Sequence, residues 1–344
     1  MKEDYLNTVT AKVKNGNIIT SDKLIEELEK VNIFRKIRLA YALKYRTNNV
    51  ESILYKIRNG KSYAKAFAFE QSERAQSILD IVLKSITLDI SKNIKGKKIY
   101  IPDYVTYTLP ATEKQFTGDF PSGSCITVSK DLIFGVHWED VNRHRIDLDL
   151  SLMNATVGKI GWDASYRTEG RDIMFSGDVT AAPKPKGATE LFYVKNQNPG
   201  SYIMFLNYFN FMESVPVPYK IMVAKNPTHR LYKNYTVNPN NIICVSKSKI
   251  NRKQCILGLV VVDKDCCKFY FSESSLGDAI SSSNKDYVEH ARNYLFNFYT
   301  NAISLNDVLN DAGAKFVKKA EDADIDLSPE SLDKEKIIGL LTNG

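Results

Sequence analysis

Residues 145–152 read RIDLDLSL, in which Ile146, Leu148, Leu150 and Leu152 alternate with Asp147, Asp149 and Ser151. Successive side chains on a strand point to opposite faces, so this stretch predicts a β-strand with one apolar side and both carboxylates on the other. The same reading extends outward. LIFGVHW (132–138) precedes it, and DIMFS (172–176), ELFYV (190–194), SYIMFLNYF (201–209), CILGLVVVD (255–263) and CKFYFSE (267–273) follow. KKIYIPDYVTYTLP (97–110) opens the series. Short strands separated by Pro, Gly and Asn turns, with no helical pattern between them, predict an antiparallel β-sandwich.

Both ends of the chain read as helix. Ser21 and Asp22 stand before LIEELEKV as N-cap candidates, and Ile33, Ile37, Ala40 and Tyr41 recur at helical spacing. Val50, Ile53, Leu54 and Ile57 predict a further helix ending at Asn59-Gly60. Residues 62–89 carry a wide apolar face that predicts one long helix. After the strands, Tyr287, Ala291, Tyr294, Leu295 and Phe298 are helically spaced. Ser304 with Asp307 forms a capping-box variant closed by Gly313, and residues 329–341 predict a last short helix in a charged tail. The predicted class is therefore α+β. It divides into a helical region at 1–96, a sandwich at 97–275, and C-terminal helices with the charged tail at 276–344.

Composition narrows the function classes. The chain has 344 residues, a net charge of +7, 43% hydrophobic and 25% charged residues, ordinary values for a globular protein. The amino-terminal residues hold no apolar signal core, and no stretch reaches the ~18 apolar residues of a membrane helix, so a cytoplasmic, non-membrane protein is expected. Five cysteines without a CxxC pair disfavour zinc ribbons and thioredoxin chemistry. Lys92, Lys95, Lys97 and Lys98, and again Lys247, Lys249, Arg252 and Lys253, form short basic clusters. Without a recognisable motif beside them they read as solvated surface, and a nucleic-acid partner is not expected. Gly60-Lys61-Ser62 resembles the end of a phosphate loop, but Tyr55 stands where its first glycine is required.

Two carboxylates on one strand face can begin a hard-cation site if loops bring more oxygens, here Asp178 and Glu190. The competing reading is a solvent-facing strand side whose charges resist aggregation, and the residues alone favour it. His137 and His144 flank the turn after LIFGVHW, yet no nucleophile elbow or HExxH pattern accompanies them, so no enzyme is expected. Trp138 and Trp162 read as core aromatics.

The ordered series VHW, RIDLDLSL, SGDVT and GATELFYV resembles the strand pair of the tellurium-resistance (TerD-like) family. IYIPDYVTYTLPATEKQFTGDFPSGS (99–124), CILGLVVVD (255–263) and YVEHARNYLFNFYTNAISLNDVLNDAGA (287–314) are similar to one multidomain branch, which elsewhere carries a RING-type module. The resemblance covers roughly residues 97 to 316. It implies a β-sandwich with roles in tellurite or general stress response, calcium bound through acidic loops, and no established catalysis. Asp147, Asp149, Asp178 and Glu190 fall on the family's acidic positions. The loop AAPKPKGAT (181–189) departs from it: Ala188 and Thr189 replace carboxylates, and Lys184 and Lys186 add positive charge. The expectation is a degenerate site with calcium bound at ~10⁻⁴ M or more weakly, or no cofactor at all. A non-catalytic binding or scaffold protein with a protein partner follows. A phage or virion assembly component, or a calcium-responsive module, are the alternatives.

Overall fold

The computed structural model describes residues 4–47, 52–56, 62–66, 69–129, 131–154, 158–225, 231–274 and 301–342. Helices α1 (Tyr5–Lys14), α2 (Ser21–Glu29) and α3 (Ile33–Thr47) come first. Ile33, Ile37, Ala40 and Tyr41 are buried as their spacing predicts. Thr20, not Ser21 or Asp22, occupies the N-cap of α2, and its side chain makes no capping bond.

The next segment corrects the helical reading. Strands β1 (Ser52–Lys56) and β2 (Ser62–Ala66) pair antiparallel, and α4 (Ser72–Ile94) starts only after them. Ile53 and Leu54 therefore lie on a strand, while Val50 and Ile57 fall outside the described residues. The physical reason lies in the runs themselves, because the Ile, Leu and Tyr of residues 52–56 and 62–66 suit paired strands as well as an apolar helix face, while Asn59-Gly60 lies outside the described residues.

The strands of the central region follow. They are β3 (Lys98–Tyr100), β4 (Val105–Thr106), β5 (Phe116–Thr117), β6 (Phe120–Pro121), β7 (Cys125–Val128) and β8 (Leu132–Trp138). Next come β9 (Leu148–Asn154), β10 (Gly158–Gly161), β11 (Ile173–Phe175), β12 (Ala188–Val194) and β13 (Gly200–Tyr208). The set closes with β14 (Val217–Lys225), β15 (Ile242–Ile250), β16 (Gln254–Val262) and β17 (Cys267–Ser274). Seven strands pair in the order β10-β9-β13-β16-β17-β7-β4, and five in the order β11-β12-β8-β14-β15. Every pairing within these two sheets is antiparallel. Leu148, Leu150 and Leu152 of the first sheet share a buried core with Phe134, Val136 and Phe192 of the second. The rings of Phe134 and Phe269 meet across it at 5.4 Å. The chain is thus α+β.

The C-terminal part adds α5 (Leu305–Asp311), β18 (Lys315–Phe316), β19 (Ile325–Asp326) and α6 (Lys334–Thr342). Ser304 caps α5 by accepting from the Asp307 amide, and Gly313 follows with φ +90°. The predicted helix around Tyr287 to Phe298 lies outside the described residues. Strand β3, read as the opening of the sandwich, pairs parallel with both β18 and β19 instead. Helix α4 packs on α3, α5 and α6, which joins the two ends of the chain. Tyr41 donates to the Leu109 carbonyl and Tyr107 to that of Leu327, carrying the connection into the sheets. The five cysteines form no disulfide. No described helix is long and apolar enough to cross a membrane.

Candidate metal centre

The leucine side of β9 is buried as predicted, but the carboxylate side is not solvated. Asp147 is 7% exposed, Asp149 2% and Ser151 0%. A solvent-facing strand side, the reading the residues favoured, is overturned. Asp178 reaches the same place from the loop after β11, and carboxylate oxygens of Asp147, Asp149 and Asp178 lie within 4.8 Å of one another. Asp147 Oδ1, Asp149 Oδ2 and Asp178 Oδ1 are buried without a hydrogen-bond partner among the described residues, as is Ser151 Oγ. Buried polar atoms are almost always paired, so these orphaned oxygens are the atoms of the site that could hold a cation.

Burial and mutual repulsion show in the acidities. Desolvation, reinforced by Asp147 and Asp178, pushes Asp149 up from 3.8 to about 8. Asp147 is raised for the same reasons, burial first and Asp178 next. The positive charges that act on the pair are Arg145 and Lys233 for Asp147 and Lys159 for Asp149. Lys159 is already engaged by Asp163 at 2.6 Å. Lys184 and Lys186, whose positive charge the sequence adds to the 181–189 loop, are not among those charges.

Glu190 does not join the cluster. It stands on β12, fully buried, and its two oxygens accept from the Leu150 amide at 2.8 Å and the Val179 amide at 2.9 Å. Leu150 is the residue of β9 just past the end of its pairing with β10, so the carboxylate replaces a missing ladder partner. Burial pushes Glu190 well above the usual carboxylate range, against the pull of the two amide bonds. Its position in the acidic pattern is therefore structural in geometry: it ties β12 to β9 and to the loop bearing Asp178.

Three residues missed by the sequence reading complete the surroundings. Asn207 on β13 lies directly opposite Asp149, so both project from one face, and its buried amide oxygen and nitrogen are both unpaired. Its signal was a lone amide in the otherwise apolar and aromatic run SYIMFLNYF. Asn210 accepts from the Asp147 amide and donates to the Arg145 carbonyl, fixing the entrance to β9. Asp140 Oδ1 accepts from the Ile146 and Ala182 amides, pinning the far end of the Asp178 loop to that entrance. No sequence spacing announces the last two, because their partners are backbone groups brought near by the fold.

Of the remaining candidates, His137 contacts the Lys186 carbonyl through Nε2 at 3.1 Å. Trp138 is a core residue bonded to the Ile146 carbonyl, and Trp162 is half-buried with its ring edge-on to Phe209. No protein-family model matches the chain, and no curated protein matches it. Among solved structures, one described as "Crystal structure of unknown function protein SAV2460" is 11% identical, covering 44% of this chain and 92% of that one, with a TM-score of 0.31. A likeness that loose carries no argument about function.

Proposed function

We propose that this chain is a non-catalytic binding module, a β-sandwich of the TerD-like kind whose Asp147–Asp149–Asp178 cluster takes one calcium ion. The observation that carries the reading is the trio of carboxylates within 4.8 Å, each with a buried oxygen that nothing among the described residues satisfies. Oxygen-only ligands without nitrogen or sulfur suit a hard cation. Asn207 supplies a further amide oxygen on the same face. Calcium takes six to eight oxygens, so backbone carbonyls or water must complete the sphere, which keeps the affinity weak, ~10⁻⁴ M near neutral pH.

Two antiparallel sheets sharing one core support the sandwich. Among the described residues, Arg145, Lys233 and Lys159 are the positive groups that act on Asp147 and Asp149, and His137 is engaged with the Lys186 carbonyl, an arrangement that suits a binding role. An ion bound here joins β9 to the loop after β11, so occupancy is expected to stiffen residues 176–182 and present them to a protein partner.

Calorimetric titration of the full chain with calcium, and with magnesium for comparison, tests the proposal. Saturable calcium binding that Asp149→Asn and Asp178→Asn each abolish is the expected result. Because calcium must displace the proton that Asp149 holds, affinity should rise about tenfold per pH unit up to about pH 8 and then level off. Heats indistinguishable between the wild type and both variants would remove the metal from this site.

A further inference from the structure

The outer face of the five-stranded sheet carries an arrangement that the calcium reading does not use. Lys220 on β14 is directly opposite His137 of β8 on one side and Lys247 of β15 on the other. Neighbouring strands stand ~4.8 Å apart, so three basic side chains from three strands leave one face along a row about 10 Å long. Like charges directly opposite in a sheet repel and are normally avoided. None of Lys184, Lys220 and Lys247 has an ion-pair partner among the described residues. Lysines on an edge strand such as β15 also deter edge-to-edge pairing. That reason does not extend to Lys220, because β14 lies inside the sheet between β8 and β15.

The loop at 183–187 completes the arrangement. Gly187 has φ +66°, and a Cβ there would meet the Trp138 carbonyl oxygen at 2.3 Å, so only glycine lets the loop lie this close to β8. The His137–Lys186 contact holds it there. Since a carbonyl can only accept, Nε2 of His137 carries the hydrogen and Nδ1 remains for another partner. With the loop in place, Lys184 joins His137, Lys220 and Lys247 around a cavity of about 240 Å³. Glu139 and Asp140 line the same cavity, together with Tyr219 and Ser248.

We infer that this cavity is a second site, for a small phosphate ester bearing hydroxyl groups, of the sugar-phosphate class. Three lysines suit a dianionic phosphate, which also removes the repulsion between Lys220 and Lys247, while Nδ1 of His137 can accept from a hydroxyl group of the ligand. The two carboxylates can only accept hydrogen bonds when ionised, and hydroxyl groups donate them. The volume is below the ~300–1,000 Å³ of pockets for drug-sized ligands, which fits a monophosphate with a short polyol or a single sugar better than a long ligand. The site shares no residue with the Asp147–Asp149–Asp178 cluster, and its test needs no calcium.

Calorimetry of the full chain with ribose 5-phosphate, inorganic phosphate and ribose decides the matter. Saturable binding of ribose 5-phosphate, weaker binding of phosphate and none of ribose are expected. Lys220→Glu and Lys247→Glu should each weaken ribose 5-phosphate by about tenfold or more, while Lys220→Arg retains it. Both lysines are exposed, and a glutamate at 220 would sit between two basic neighbours. The Lys220→Glu protein should therefore melt no lower than wild type, which separates lost binding from lost folding. No saturation by ribose 5-phosphate at about 10 mM, well above the weakest module affinities, would overturn the inference. So would affinities unchanged in both glutamate variants, or binding of a single-stranded oligonucleotide through these lysines without binding of the sugar phosphate.

Discussion

At the scale of single residues, two carboxyls of similar sequence context have opposite tasks. Glu190 satisfies two backbone amides, so Glu190→Ala leaves the Leu150 and Val179 N–H groups buried and unpaired. The expected loss is about 2–5 kcal/mol in urea denaturation, with a smaller loss for Glu190→Gln, which keeps one acceptor. Asp149 is different, because its unpaired oxygen is a cost to the cation-free fold. Its carboxyl rises from 3.8 to about 8, so between those values the folded protein holds a proton that the unfolded chain has released. Stability without calcium should therefore fall as pH rises from about 4 to about 8, and Asp149→Asn should flatten that slope. At about pH 8 the variant should be more stable than wild type by ~1–3 kcal/mol without calcium, and calcium should stabilise only the wild type. Urea midpoints across the pH range, with and without calcium, check both signs.

Elements succeed or fail here through what lies beside them. Strand β8 is central in its sheet, and Gly135 pairs with Leu191 on one side and Met222 on the other. A Cβ at Gly135 would meet the Glu190 carbonyl oxygen at 2.0 Å and Leu191 Cα at 2.8 Å. Gly135→Ala should thus cost about 2–3 kcal/mol by forcing β12 away, and since β12 carries Glu190, the Asp178 loop should loosen with it. Proteolysis or hydrogen exchange in residues 176–182 would report the second effect, and unchanged protection there would separate the strand from the loop. The β1–β2 hairpin shows the converse. Its residues were compatible with a helix by spacing, and the pairing of residues 52–56 with 62–66 decided otherwise.

Across the whole molecule, one continuous core includes Val9 and Ile37 of the helices, Phe134 and Leu150 of the two sheets, and Leu309 and Ile337 near the C-terminus. Helical and sheet regions sharing a core should unfold together. Far-ultraviolet circular dichroism, dominated by the helices, and fluorescence of Trp138 and Trp162, which report the sheets, are expected to give coincident urea transitions. Two separated midpoints would show that the helical ends and the sheets are independent units. The strand-rich middle, the burial of Leu148, Leu150 and Leu152 and the cap at Ser304 were legible from residue order alone, because alternation and capping are local patterns. It took the three-dimensional arrangement to bury the aspartates, to set Glu190 on backbone amides and Asn207 opposite Asp149, to pair β3 with the C-terminal strands, and to bring Lys184 to the cavity lined by His137 and Lys220. Those outcomes depend on which strands become neighbours and which loops cover a face, and the contacts responsible join residues tens to hundreds of positions apart, beyond the reach of any local period.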